Sequence, residues 1–128
     1  MLPFTMTGTV IHGRSLGSSH ASPTANIIPF EDVSGLSHGV YYSVVSIDGK
    51  KYPAITNLGV RPTVSDDGKV NAETYIYGLN EDLYGKIIKV TLLAFSRGER
   101  KFASVEEMYE TVQEDIRKGA LYHGAGVP

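Results

Sequence analysis

The sequence predicts a mainly β domain, a six-stranded antiparallel barrel followed by one C-terminal helix. Three observations lead to this prediction. About six stretches are rich in alternating β-forming residues, only one stretch has helical periodicity, and a chain of 128 residues is too short to cover open sheet edges in another way. Closure into a barrel removes those edges, and an open sandwich is the alternative architecture.

Length and composition limit the class of protein. A chain of 128 residues is expected to form one domain, over residues 1–128, with a core large enough to fold without disulfides. The absence of Cys and of a signal-peptide pattern favours a cytoplasmic protein. No apolar run is long enough to span a membrane, so no association with a membrane is expected. A net charge of −2 without a basic block argues against nucleic acid, so a small ligand is favoured.

The strands follow a linker stub at residues 1–5. They are predicted over residues 6–12, 26–30, 38–47, 50–58, 70–77 and 86–95. Asp48-Gly49 is a two-residue hairpin signal between the third and fourth strands. The last strand has apolar residues on both faces, which predicts a central position in the sheet.

The helix begins at a capping box, Ser104-Val105-Glu106-Glu107. An apolar stripe at helical spacing is expected to pack on the sheet; it consists of Val105, Met108, Tyr109, Val112 and Ile116. Basic residues followed by Gly119 predict the end of the helix, and residues 120–128 are expected to be a frayed tail.

The loop between the first two strands is the first candidate site. It is rich in Ser and Gly, and its glycines, Gly13 and Gly17 among them, would let backbone N–H groups approach phosphate oxygens. Thr24 and Asn26 follow with one residue between them, so in an extended segment both side chains lie on one side and could share an ion brought by a nucleotide. The alternative is that they cap their own turn.

Other motifs are weaker. Gly13-Arg14-Ser15-Leu16-Gly17 matches a hydrolase nucleophile elbow, but no helix follows the Ser and no parallel sheet is predicted. Ordinary phosphate-loop and dinucleotide-binding patterns are missing, and the four His residues are too scattered to indicate a metal site.

Glu73 lies in a strand whose other residues are mostly apolar or aromatic, among them Ala72, Tyr75, Ile76 and Tyr77. Its carboxylate either faces solvent or has a function, and in the second case it is the obvious general base for phosphorylating an alcohol. The residues alone leave both interpretations open.

Together these landmarks resemble the riboflavin kinase family over nearly the whole chain. The matching blocks are His12-Gly13, Pro23-Thr24-Ala25-Asn26, Gly39-Val40-Tyr41, Asn57-Leu58-Gly59-Val60-Arg61-Pro62-Thr63, Glu73-Thr74 and Asp82-Leu83-Tyr84-Gly85, followed by Arg97, Glu99, Phe102 and Asp115. The resemblance implies a Greek-key barrel that transfers the γ-phosphate of ATP to the 5′-hydroxyl of riboflavin, giving FMN and ADP. It also implies that the chain is a kinase module that follows an FMN adenylyltransferase domain in the full-length protein, with a standalone kinase as the alternative.

The resemblance assigns roles to particular residues. Thr24 and Asn26 would bind Mg²⁺ together with the phosphates, and Glu73 would be the catalytic base. The nucleotide would be bound by Gly13 and Gly17 in the loop, by Thr24 and Asn26, and by Leu83 and Tyr84. Arg97, Glu99 and Phe102 would border the flavin.

The chain departs from the family pattern in the loop, where Gly17 is followed by the residues Ser18-Ser19-His20-Ala21-Ser22. The family's His two positions after the base is Tyr75 here, and Gly78 stands where an acidic or amide residue is usual. A degenerate module that binds flavin without transferring phosphate is therefore the alternative function. An oligonucleotide-binding barrel is a third possibility that the acidic charge balance disfavours.

Overall fold

A computed structural model describes residues 2–12, 24–60 and 69–124. Six strands and one helix follow in chain order: β1 (Phe4–Thr9), β2 (Thr24–Ile27), β3 (Gly39–Ile47), β4 (Lys50–Val60), β5 (Val70–Ile76), β6 (Ile87–Gly98) and α1 (Val105–His123). All strand pairs are antiparallel, and the order in the sheet is β1-β6-β3-β4-β5-β2. The mainly β class and the single terminal helix are confirmed.

The topology is a Greek key. Strands β3, β4 and β5 are consecutive neighbours, and β6 returns to lie beside β3, which gives the spatial order that defines the motif. The sheet curls into a half-barrel, so that its edge segments meet. Ile11 N donates to Asn26 O and Phe30 N donates to Thr7 O, each at 2.8 Å. The predicted barrel is therefore confirmed over the open sandwich.

The interior of the curled sheet is the main core. Its fully buried side chains include Met6, Ile27, Val45, Leu58 and Leu92, which come from five different strands. Three buried hydroxyl groups also lie inside and satisfy one another: Thr56 Oγ1 is 2.8 Å from both Ser43 Oγ and Thr74 Oγ1. Because side chains alternate along a strand, the neighbours of these residues point to the outer face.

Helix α1 covers part of the outer face. Ile55, Tyr77 and Ala120 belong to a second buried cluster between the helix and the sheet. The hydroxyl of Tyr77 donates to Ile116 O, and His123 Nε2 lies 2.9 Å from Ala54 O. The outer face beside the helix stays accessible, and it is the face on which the candidate site lies.

Several predicted boundaries differ in the structure. Strand β1 already begins at Phe4, within the expected stub, because residues Phe4 and Thr5 pair with Leu92 and Thr91 of the central strand β6. Strand β2 covers Thr24–Ile27 rather than residues 26–30, since pairing with β5 ends before Pro29.

The frayed tail is also wrong as far as it is described. The helix continues past Gly119 to His123 and ends at Gly124, which has left-handed backbone geometry with φ 59°. Gly119 is a close-packing position, because a Cβ there would lie 2.3 Å from the Tyr77 hydroxyl oxygen. The predicted stripe is shifted accordingly, since Val105 and Tyr109 are exposed whereas Asp115 and Ala120 are buried.

Candidate active site on the outer face of the sheet

The pairing of β2 with β5 brings the three predicted chemical residues together. Asn26 lies directly opposite Glu73, and Thr24 lies opposite Tyr75, one pleat further along the same face. The hydroxyl of Thr24 donates to Glu73 Oε2 at 2.8 Å. Glu73 is half-buried and Thr24 is exposed, so the carboxylate can be reached from solvent. Glu73 thus lies on the outer wall of the barrel but in contact with Thr24.

A fourth residue, Asn71, belongs to this group and was missed by the sequence analysis. Its Nδ2 donates to Asn26 Oδ1 at 3.1 Å, and both side chains are buried, with 7% and 3% of their surface exposed. The bond orients the Asn26 carboxamide. Asn71 stands two residues before Glu73, where strand alternation alone places it on the same face; that spacing was the available signal.

The donor set at this point consists of oxygen atoms only. It includes the Thr24 hydroxyl, the Asn26 amide oxygen and the Glu73 carboxylate. Hard cations such as Mg²⁺ prefer oxygen ligands, so these residues fit such an ion. Within residues 2–12, 24–60 and 69–124 no group of three His, Cys or acidic side chains is placed to hold a metal.

A pocket of about 370 Å³ adjoins Thr24. It is lined by Leu83 and Tyr84, two of the residues expected to bind the nucleotide, and by His12. The His12 and Tyr84 rings are stacked, with centroids 3.9 Å apart and an interplanar angle of 8°. Gly13 and Gly17, the other expected nucleotide contacts, lie outside the described residues. A larger cleft of about 590 Å³, lined by Ile11, Phe30 and Val70 among others, contains none of the predicted site residues.

Arg97 lies on the same outer face but is engaged within the protein. Its Nε and Nη2 donate to the two carboxylate oxygens of Asp115 at 2.8 and 2.7 Å, and its Nη1 donates to Gly98 O at 2.9 Å. Asp115 is buried in helix α1. The bidentate pair therefore connects β6 to the helix and fixes one border of the accessible face.

Glu99 and Phe102 continue this border beyond the end of β6. Glu99 Oε2 lies 2.3 Å from the position that a Cβ on Gly59 would occupy, so a larger residue at position 59 would displace this carboxylate from its present place. Glu99 Oε1 is 4.0 Å from His38 Nδ1. The guanidinium of Arg100 lies over the ring of Phe102, 5.6 Å from its centroid.

Tyr77 is the titratable group of the outer face with the most strongly perturbed environment. Burial, together with the nearby Tyr75, raises the pKa of Tyr77 well above its ordinary value. Because its hydroxyl donates to the helix carbonyl of Ile116, the neutral form is the one that the fold requires. Tyr77 is therefore a structural residue of the helix contact and not a candidate acid or base.

The fold and site define the class first: a small Greek-key barrel whose outer face carries an accessible carboxylate, hydrogen-bonded to Thr24, beside a pocket. The riboflavin kinase family model (flavokinase) matches residues 1–122, and the chain belongs to this family.

One curated relative and two solved structures illustrate what the chain is similar to. The chain is 37% identical over 114 residues to a bifunctional riboflavin kinase/FMN adenylyltransferase of Pseudomonas fluorescens, covering 89% of this chain and 36% of that protein. A solved structure described as a macrolide-efflux protein of Streptococcus pneumoniae is 31% identical, with a TM-score of 0.77, over 90% of this chain and 38% of that one. The riboflavin kinase of Trypanosoma brucei has the same fold, with a TM-score of 0.62 at 23% identity, over 91% of this chain and 77% of that one.

The chain thus spans 36% of the length of the Pseudomonas relative and 40% of the Escherichia coli one. Among the described residues, no helix is both long and apolar enough to cross a membrane.

Proposed function

We propose that this chain is a riboflavin kinase module, which transfers the γ-phosphoryl group of ATP to the 5′-hydroxyl of riboflavin and yields FMN and ADP. One observation supports the proposal most directly: the β2–β5 register places Asn26 opposite Glu73, while the Thr24 hydroxyl donates to the Glu73 carboxylate. A base and two neutral oxygen ligands on one accessible face are the parts that this reaction needs.

Glu73 is the proposed catalytic base. In the transfer, the bond between the γ-phosphorus and the oxygen bridging to the β-phosphate breaks, and a bond between that phosphorus and the 5′ oxygen forms. The proton of the 5′-hydroxyl passes to a Glu73 carboxylate oxygen. The hydrogen bond from Thr24 to Oε2 orients the carboxylate, and Oε1 is the oxygen that the substrate hydroxyl would meet.

Thr24 and Asn26 are the proposed residues for holding Mg²⁺ with the triphosphate. When bound, the ion would neutralise charge on the phosphate oxygens. A hydroxyl has one hydrogen to donate and two lone pairs, so Thr24 can donate to Glu73 and still offer an oxygen lone pair to a cation. Asn71 supports the arrangement by orienting the Asn26 amide.

The substrates are assigned to two borders of the face. The pocket beside Thr24, with Leu83 and the stacked His12 and Tyr84 rings, is the proposed nucleotide site, together with the loop glycines Gly13 and Gly17. The border formed by Arg97, Glu99 and Phe102 is the proposed flavin site. Arg97 contributes there chiefly through its pair with Asp115, which holds the helix in place.

The full-length protein is proposed to carry an FMN adenylyltransferase domain before this one, as the bifunctional relative's description and the 36% coverage of that relative suggest. The cytoplasmic location stays a prediction from the absence of Cys.

The test is incubation of the purified protein with riboflavin, ATP and Mg²⁺, followed by chromatographic separation of the flavins. We expect FMN to accumulate with time, and omission of Mg²⁺ to abolish it. Folded protein that forms no FMN would contradict the proposal. In that case, quenching of riboflavin fluorescence by the protein would instead support the degenerate flavin-binding module.

A further inference from the structure

A row of side chains crosses the outer face of the sheet at one register. Asn26 on β2 lies opposite Glu73 on β5, which lies opposite Asn57 on β4. Asn57 in turn lies opposite Val40 on β3, and Val40 lies opposite Arg97 on β6. The proposed base and the proposed flavin border are therefore two positions in a single row, and Asn57 lies between them.

Asn57 points to the outer face and is free to meet a ligand. Its neighbours Thr56 and Leu58 are fully buried in the interior, so alternation directs the Asn57 side chain outward. Asn57 is exposed. Val40, the next residue in the row, is buried and belongs to the second cluster, between helix α1 and the sheet. An exposed carboxamide therefore lies beside the proposed base, at the point where the row emerges from the cluster under the helix.

The spacing matches a polar chain that ends in an alcohol. Adjacent strands are about 4.8 Å apart, so Asn57 lies roughly 5 Å from the Glu73 position and roughly 10 Å from that of Arg97. If the terminal hydroxyl is at Glu73 and the flat ring system is at the Arg97 border, the chain joining them passes over Asn57. A carboxamide offers two donor hydrogens and an acceptor oxygen, which suits hydroxyl groups that both donate and accept.

We infer that Asn57 is a specificity-determining residue that binds the secondary hydroxyls of the substrate's polyol chain. The inference rests on the proposed function and deepens it. It explains how the site would select a polyhydroxylated alcohol over a plain alkyl alcohol carrying the same ring system, since an unpaired carboxamide would be left beneath the alkyl chain.

The test compares two substrates in the Asn57→Ala variant. One substrate is riboflavin, and the other is a flavin whose side chain is 5-hydroxypentyl, which keeps the terminal alcohol and lacks the secondary hydroxyls. We expect Asn57→Ala to lower kcat/KM for riboflavin by about tenfold or more and to leave the hydroxypentyl flavin nearly unchanged, the loss expected for one or two hydrogen bonds. Gln113→Ala, which removes an exposed carboxamide from helix α1, is the matched control and should change neither value.

Binding measured without ATP separates this inference from the proposed function. The dissociation constant of each flavin, obtained from fluorescence quenching, should rise for riboflavin alone in Asn57→Ala, and Asn57→Asp should show a smaller rise because it keeps the acceptor. An unchanged preference for riboflavin in both variants would overturn the role of Asn57, even in an active enzyme. If the wild-type protein forms no FMN, the proposed function fails, while the binding comparison still decides the role of Asn57.

Discussion

Glu73 shows how a carboxylate on a sheet surface differs from an ordinary solvated one. It accepts a hydrogen bond from Thr24, lies opposite the buried Asn26 and is itself half-buried. We predict that Glu73→Gln lowers turnover by about 10² to 10⁴, the usual contribution of a general base, and leaves riboflavin binding nearly unchanged. Single-turnover FMN formation and fluorescence quenching measure the two effects. Equal turnover in the variant and the wild type would exclude Glu73 as the base.

Asn71 is predicted to act on Asn26. Removing its side chain leaves the buried Asn26 amide oxygen without this donor, so Asn71→Ala should lower the free energy of unfolding by about 1 to 3 kcal/mol. If Asn26 holds the metal, the variant should also bind Mg²⁺-ATP more weakly, which calorimetric titration would detect. Gln113→Ala serves as an exposed-amide control, and equal unfolding curves for wild type and Asn71→Ala would contradict the prediction.

At the scale of the element, helix α1 depends on a close approach to the sheet. A Cβ at Gly119 would lie 2.3 Å from the Tyr77 hydroxyl oxygen and 2.4 Å from Ile55 Cγ2. Alanine is a better helix former than glycine by about 1 kcal/mol, but overpacking a core costs about 1 to 3 kcal/mol. Because both atoms belong to buried side chains, we predict that the steric cost of a Cβ at residue 119 exceeds the gain in helix propensity.

Gly119→Ala should therefore destabilise the protein by up to about 2 kcal/mol, the overpacking cost less the gain in helix propensity, measured by urea unfolding. The matched control is Gly35→Ala, since a Cβ at Gly35 would meet nothing within 4 Å. A more stable Gly119→Ala variant would show that the helix can shift away from the sheet at little cost.

The same glycine shows where sequence reasoning fails. A glycine after basic residues is a common helix stop, and only the tertiary contact with Tyr77 reveals its other use. By contrast, the β3–β4 hairpin was predictable, because the Asp48-Gly49 turn is local: both residues have positive φ, 50° and 83°. Local chemistry determines turns and caps, including the helix stop at Gly124, whereas only the packing against the sheet reveals that Gly119 lies inside the helix.

The residues of the candidate site also fall into two groups, those that the sequence indicates and those whose role only the structure reveals. Thr24, Asn26 and Glu73 could be singled out from the chain, because residue type and family resemblance both indicate them. Strand alternation alone puts Asn71 on the face of Glu73, and Asn57 stands in one of the family blocks, but the roles of both come from the register that places them beside Asn26 and Glu73. Register depends on pairing along the whole sheet, which no single stretch of sequence specifies.

At the scale of the whole molecule, the site requires the two sheet edges to stay together, because β2 carries Thr24 and Asn26 and is itself an edge strand. Besides the backbone bonds, Glu31 connects the segment after β2 to β1. Its carboxylate accepts hydrogen bonds from Thr7 N at 2.7 Å and from Thr7 Oγ1 at 2.6 Å. Gly8 permits the close approach of β1 to β2, since a Cβ on Gly8 would lie 2.8 Å from Ile27 Cβ.

This connection should depend on pH. Partial burial raises the pKa of Glu31, but the hydrogen bonds from Thr7 outweigh it, so the pKa lies below the ordinary value. A carboxyl group with a lower pKa in the folded state stabilises the fold above its unfolded pKa, about 4.3, and this contribution disappears as the pH falls through the folded pKa.

We therefore predict that Glu31→Gln lowers the urea midpoint at pH 7, and that the difference from wild type shrinks as the pH is lowered to about 3. Glu110→Gln, which removes an exposed charge from α1, is the matched control. Thr7→Val should lower the free energy of unfolding less in the Glu31→Gln variant than in wild type. In that variant the hydrogen bond from the Thr7 hydroxyl to residue 31 has already been weakened. A difference that stays constant from pH 7 to pH 3 would mean that the Glu31 carboxylate does not hold the edges together through its charge.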